Sequence, residues 1–180
     1  MSDQTDSIKT TFKNLITIYQ ETANLLLDAG SILEKAGYPC LHTNTLGTEQ
    51  SKNINNPSWW ITPYASRYFA TQENPAEIKA IGVFFVDKAY TPIEPLVLAG
   101  CFKMKKNEKD EVLPLGYWYL KEAWFTLIPD RKLREDLDLL NLKDNWNFSA
   151  VKIRAVPLDD IRDQETLEKT IIAPLIAMSC

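Results

Sequence analysis

Ile78-Lys-Ala-Ile-Gly-Val-Phe-Phe-Val-Asp87 decides how the rest of the chain is read. In it Ile81, Val83 and Phe85 alternate with Gly82, Phe84 and Val86, so an extended chain would be apolar on both faces. A strand of that kind lies inside a sheet that is covered on each side. The stretch from Leu96 to Lys105 is similarly rich in Val, Leu and Phe, and Pro92 and Pro95 stand between the two as a turn region. An antiparallel pair is the expected result.

Upstream, Ile8, Phe12, Leu15, Tyr19, Thr22, Leu26 and Leu33 recur at intervals of three, four and seven, one stripe of a helix over about 6–36. Gly30 and Ser31 interrupt that stripe, which leaves either one helix packed closely at Gly30 or two helices jointed there. Gly37 and Pro39 supply the stop. From Pro39 to Ser58 the chain turns to Asn, Thr, Ser, Gly and Pro, read as a loop that lies over the edge of the core. Thr62 and Pro63 fit an N-cap and first helical position, giving a short helix to about Thr71 with Tyr64 and Tyr68 on one face.

Downstream, Leu115 to Ile128 suggests one or two further strands, and Pro129 opens a short helix carrying Leu133, Leu137 and Leu140. Val151, Ile153 and Ala155 alternate with Lys152 and Arg154 as in a half-exposed strand. Asp163 can cap a last helix that turns Leu167, Ile171 and Leu175 inward, with Pro174 kinking or ending it. The sum is an α+β fold: a mostly antiparallel sheet of four to five strands packed by a long N-terminal helix and a C-terminal helix. With 180 residues, 45% of them apolar and 24% charged, residues 1–180 read as a single globular domain.

Composition narrows the function classes. No apolar run is long enough to span a bilayer, the first residues are polar and acidic, and the cysteines at 40, 101 and 180 form an odd set without paired spacing. These features predict a soluble protein of the cytoplasm, without a disulfide framework. The net charge of −4 is spread evenly, with four basic and six acidic residues in 1–60, seven and seven in 61–120, and nine and eleven in 121–180. No segment carries the basic excess that phosphate neutralisation requires, which argues against nucleic acid as a partner.

Reactive constellations are sparse. The single histidine, His42, sits two residues after Cys40, so in an extended segment both would point the same way, yet zinc would still need Cys101 and Cys180 from elsewhere without metal-ligand spacing. The six glycines are dispersed and form neither a dinucleotide fingerprint nor a P-loop, and no nucleophile elbow occurs. Asp87, Glu94 and Lys103 are the nearest approach to a metal-dependent hydrolase or nuclease set, but no acid stands two residues before Lys103. No cofactor, metal or catalytic residue is therefore expected, and the chain reads as a non-catalytic protein-interaction or regulatory module. Its candidate binding residues are Trp59, Trp60, Tyr64, Arg67 and Tyr68, drawn from the aromatic-dense segment 57–69 because Trp, Tyr and Arg dominate binding hot spots. The competing reading of these aromatics is core. A second function class is a small-ligand sensor with a pocket lined by Tyr117, Tyr119 and Trp124.

Overall fold

The computed structural model describes residues 2–48, 50, 52–55, 57–87, 91–113, 120–121, 123, 137–140 and 147–180, with the side chains of 2–4, 58–59 and 137–140 outside that description. It begins with one uninterrupted helix, α1 (Ser2–Lys35). Five strands follow: β1 (Tyr64–Phe69), β2 (Glu77–Val86), β3 (Pro92–Met104), β4 (Leu137–Leu140) and β5 (Phe148–Pro157). They form one sheet in the order β1-β2-β3-β5-β4, and every neighbouring pair is antiparallel. The chain then closes with α2 (Gln164–Leu167), a π-helical segment (Glu168–Ile172) and α3 (Ala173–Ala177) in direct succession. The expected α+β architecture is the one observed.

The alternation read in β2 sorts the two cores. Odd residues of β2 and β3, such as Ile81, Val83, Val97 and Ala99, pack under Leu26, Ala29 and Leu33 of α1 and under Leu167, Ile171 and Leu175. Even residues, such as Ala80, Phe84, Leu98 and Phe102, pack on the opposite side with Leu120 and Ala123. Gly82 and Gly100 lie on that second face because Leu120 presses on both strands, and a Cβ at 82 would sit 3.2 Å from it and 3.0 Å from the Ala65 carbonyl oxygen. The expected turn at Pro92 and Pro95 is instead the start of β3, and the ladder is irregular between Phe84 and Val86, where Pro95 has no N–H to offer.

Segment 64–69 is a strand and not the expected short helix. Tyr64 and Tyr68 share a face in either conformation, since a spacing of four is both an even number of strand residues and about one helical turn. The strand wins because β1 pairs with β2 along its whole length, from Tyr64 opposite Phe84 to Phe69 opposite Lys79. Its outer edge is covered by the preceding loop, which makes bridges from Cys40 to Phe69 and from Gly47 to Ser66. That loop is the connector over the core edge that its composition suggested.

Of the segment 115–128, Leu120, Lys121 and Ala123 are helical and buried rather than extended, and the remainder lies outside the described residues. Leu137 and Leu140 lie in β4, where backbone pairing with β5 replaces the helix expected there. Asp163 caps α2 as expected, accepting from the Thr166 N–H at 2.8 Å. Pro174 neither ends nor breaks the helix: the backbone widens into a π turn just before it, and the Ala173 N–H reaches back to the Glu168 carbonyl.

Candidate functional site

The five residues expected to form a contact surface are not presented together. Tyr64 and Tyr68 are fully buried in the core on the Leu120 side, and Arg67 is buried on the α1 side. Trp60 is 51% exposed and donates its indole N–H to the Asn53 carbonyl at 2.9 Å, while the Trp59 side chain lies outside the described set. Three of the five are thus interior, a consequence of strand alternation: one face of β1 meets Phe84 and the other meets α1.

Arg67 instead holds three parts of the fold together. One guanidinium nitrogen donates to the Leu26 carbonyl of α1 at 3.2 Å, another to the Thr43 carbonyl of the loop at 2.8 Å, and the group lies over the Phe69 ring at 5.6 Å. Gly30 is the place where α1 comes closest, since a Cβ there would strike the guanidinium. Thr43 adopts φ 45°, a left-handed backbone that a β-branched residue adopts at a cost, and its carbonyl is turned toward Arg67.

The other sequence candidates are scattered. Cys40 and His42 do not lie in an extended segment: residues 41–44 form a turn, the Cys40 thiol is 3.8 Å from the Thr43 carbonyl, and His42 packs edge-on to Tyr68. Burial lowers the His42 pKa from its ordinary value, which favours the neutral ring. Lys103 stands opposite Glu77 at one end of the β2–β3 pair while Asp87 follows the other end, so the two are about 30 Å apart at some 3.3 Å per residue. They cannot serve one metal. Among the described residues no three of His, Cys, Asp and Glu converge as metal ligands, and no helix is long and apolar enough to cross a membrane. Tyr117, Tyr119 and Trp124 lie outside the described residues.

Two other places combine shape with chemistry. The first is a groove of about 510 Å³ between α1 and the segment running from the 3-10 turn Leu158–Asp160 into α2. Its floor is apolar, made by Ile18 and Leu25 from α1 and by Leu158, Ile161 and Leu167 from the facing segment. Its rim is acidic: Glu21, Asp28, Asp159 and Asp163 line it, against the single base Arg162. Ile18 is 45% exposed, Leu25, Leu158 and Ile161 are half-buried against the core, and Leu167 is buried. On α1, Ile18, Glu21, Leu25 and Asp28 follow one another at three- and four-residue steps, a line beside the buried stripe of Thr22, Leu26 and Leu33. Asp163 has two roles here, because the Thr166 hydroxyl and N–H lower the pKa of its carboxylate from the ordinary value while it caps α2.

The second place is a row across the sheet. Lys79, Cys101 and Lys152 are register partners on β2, β3 and β5, all facing the helices. Lys79 is fully buried, and its ammonium bonds the Glu77 carboxylate at 2.8 Å, the Cys101 thiol at 3.6 Å and the Met178 carbonyl. Burial works against this charge, but the Glu77 bond and the neighbouring Cys101 and Tyr38 outweigh it, and the Lys79 pKa rises above its ordinary value.

Compared with known proteins, the chain matches no family model, no curated protein and no solved structure. Sequence patterning had missed the groove, because its two walls are 130 residues apart in the chain and only the line on α1 is visible in one segment. Lys79 was missed as well, although it shares the parity of Ile81 and Val83 in β2, the one signal that could have found it.

Proposed function

We propose that this chain is a cytoplasmic, non-catalytic protein-interaction module, and that its contact surface is the acid-rimmed groove between α1 and the 158–167 segment. The observation that carries this reading is the pairing of a partly exposed apolar floor with four carboxylates and one base around it. Such a groove is complementary to a basic amphipathic helix that lays apolar anchors at i, i+3 and i+4 onto the floor and sets Lys or Arg against the rim. The apolar contact would supply affinity, and the charges would govern approach and orientation. The free cysteines and the absence of paired spacing support a reducing compartment.

Fluorescence anisotropy with a labelled basic amphipathic peptide tests this reading, using a peptide of the same apolar positions with Glu in place of Lys as control. The basic peptide is expected to bind, more weakly as salt is raised. Its binding is expected to be lost when Ile18→Asp is combined with Glu21→Lys. Equal binding of the acidic control, or binding unchanged in the double variant, would remove the groove from consideration.

A further inference from the structure

We propose that Cys180 and Cys101 form a redox-active dithiol, in which Cys180 is oxidised by a small peroxide and Cys101 resolves it to a disulfide. The residues after α3 cross the row Lys79, Cys101 and Lys152 and are gripped at each step. The Met178 carbonyl accepts from Lys79, whose ammonium also bonds the Cys101 thiol at 3.6 Å, the Ser179 carbonyl accepts from the Lys152 ammonium at 3.0 Å, and Cys180 packs against the core cluster that contains Cys101. Two cysteines from distant parts of the chain are thereby brought together beside a buried ammonium.

Their environments differ. Cys101 is fully buried and donates toward Cys180, and both effects push its thiol up. Cys180 receives that bond and a backbone N–H from Lys152, which together outweigh its burial and hold it below the ordinary thiol value. Lys79 lies behind Cys101 and stabilises negative charge on the pair, with Glu77 as its counter-ion. Cys180 is half-buried and lines a shallow cleft of about 440 Å³ together with Lys103, Lys105, Lys106 and Glu77, so of the two cysteines it is the more accessible and bases outnumber acids around its approach. Cys40 lies in the same row and on the same face, but at the sheet edge beyond β1, with Phe69 and Lys79 between it and Cys101.

The chemistry balances with hydrogen peroxide as oxidant. The Cys180 thiolate attacks one peroxide oxygen, the O–O bond breaks, and the departing hydroxide takes a proton from solvent, leaving a sulfenic acid and water. The Cys101 sulfur then attacks the Cys180 sulfur, and the S–OH bond breaks. The leaving hydroxide takes the Cys101 proton as a second water. Two thiols are oxidised by two electrons and one peroxide is reduced to two waters. A dithiol reductant reverses the disulfide.

The test is stoichiometric hydrogen peroxide on the full chain, followed by intact mass and peptide mapping under non-reducing conditions. The expected product has lost two hydrogens and carries a Cys101–Cys180 cross-link. In Cys101→Ser the reaction is expected to stop at one added oxygen on Cys180, trapped by a dimedone probe. On the unmodified chain, which does not depend on that variant folding, iodoacetamide is expected to alkylate Cys180 several-fold faster than Cys40. Prior peroxide should block that alkylation, and Lys79→Met should move its pH profile upward. A cross-link involving Cys40, sulfinic acid at Cys180 without a disulfide, no oxidation at all, or equal alkylation of Cys40 and Cys180 would each overturn the proposal.

Discussion

Arg67 was singled out in the sequence for its chemistry and turns out to act on the fold. Its guanidinium bonds two main-chain carbonyls from separate segments, so truncation removes the buried bond to Leu26 and the partly buried bond to Thr43 that tie α1 and the loop to β1. Arg67→Ala is expected to cost about 1–3 kcal/mol, read as a lower urea midpoint. Gly30→Ala should cost a comparable amount, of order 1–3 kcal/mol, because a pinned guanidinium occupies the space a Cβ needs. Since both changes act through the same side chain, the double variant should be clearly less destabilised than the sum of the singles; additivity would show that the close approach is not what demands glycine at 30. Asp163 gives a pH prediction. Its folded pKa lies below the ordinary 3.8, so the stability it contributes is present above that value and is lost as pH falls through the lowered folded value. Asp163→Asn keeps a capping acceptor but does not titrate, and its stability relative to wild type should therefore rise as the solution is acidified into that range. A constant difference between the two proteins across that range would count against the cap as the source of the shift.

Among the elements, α1 has two unlike halves. Its 34 residues span about 51 Å at 1.5 Å per residue, yet the buried positions run only from Thr22 to Leu33. Ile8 and Phe12 lie on that same stripe and are 60% and 62% exposed. Amide hydrogen exchange should therefore be fast over residues 5–14 and slow over 22–33, and equal protection along the helix would contradict this division. The stripe itself was legible in the sequence, and so was the two-sided burial of β2, because both depend on local periodicity. What periodicity could not supply was where the sheet stops beneath α1, since that is fixed by the breadth of the tertiary assembly. The same limit explains segment 64–69. Tyr64 and Tyr68 fit two periods equally well, and pairing with Ile81 and Phe84, which is a non-local fact, selects the strand. The helix placed over Leu137 and Leu140 gave way to β4 for the same reason: a three-to-four-residue spacing of leucines does not reveal that β5 offers an open ladder. At Gly82 the assembly sets a tight requirement, and Gly82→Ala should destabilise by about 1–3 kcal/mol, measured by thermal or urea unfolding, because the Ala65 carbonyl cannot yield as a flexible side chain would.

For the whole molecule, sequence composition already disfavoured a nucleic-acid partner and offered no reactive constellation, while it directed attention to the aromatic segment 57–69. The aromatic segment was conspicuous because hot-spot residue types cluster there, yet three of its five candidates fill the two cores. The groove was inconspicuous because no single segment contains it. One of its walls is a line on α1 and the other is formed only when the chain returns from β5 into α2. The groove sets four carboxylates and one base around an apolar floor, and the proposed recognition of a basic helical segment rests on that arrangement. A ¹⁵N chemical-shift titration with the basic amphipathic peptide examines this claim most directly. The account predicts saturable shifts in 17–28 and 158–167, with Trp60 and Ile61 undisturbed. Shifts confined to the Trp60 loop, or a spectrum that does not change as peptide is added, would contradict it.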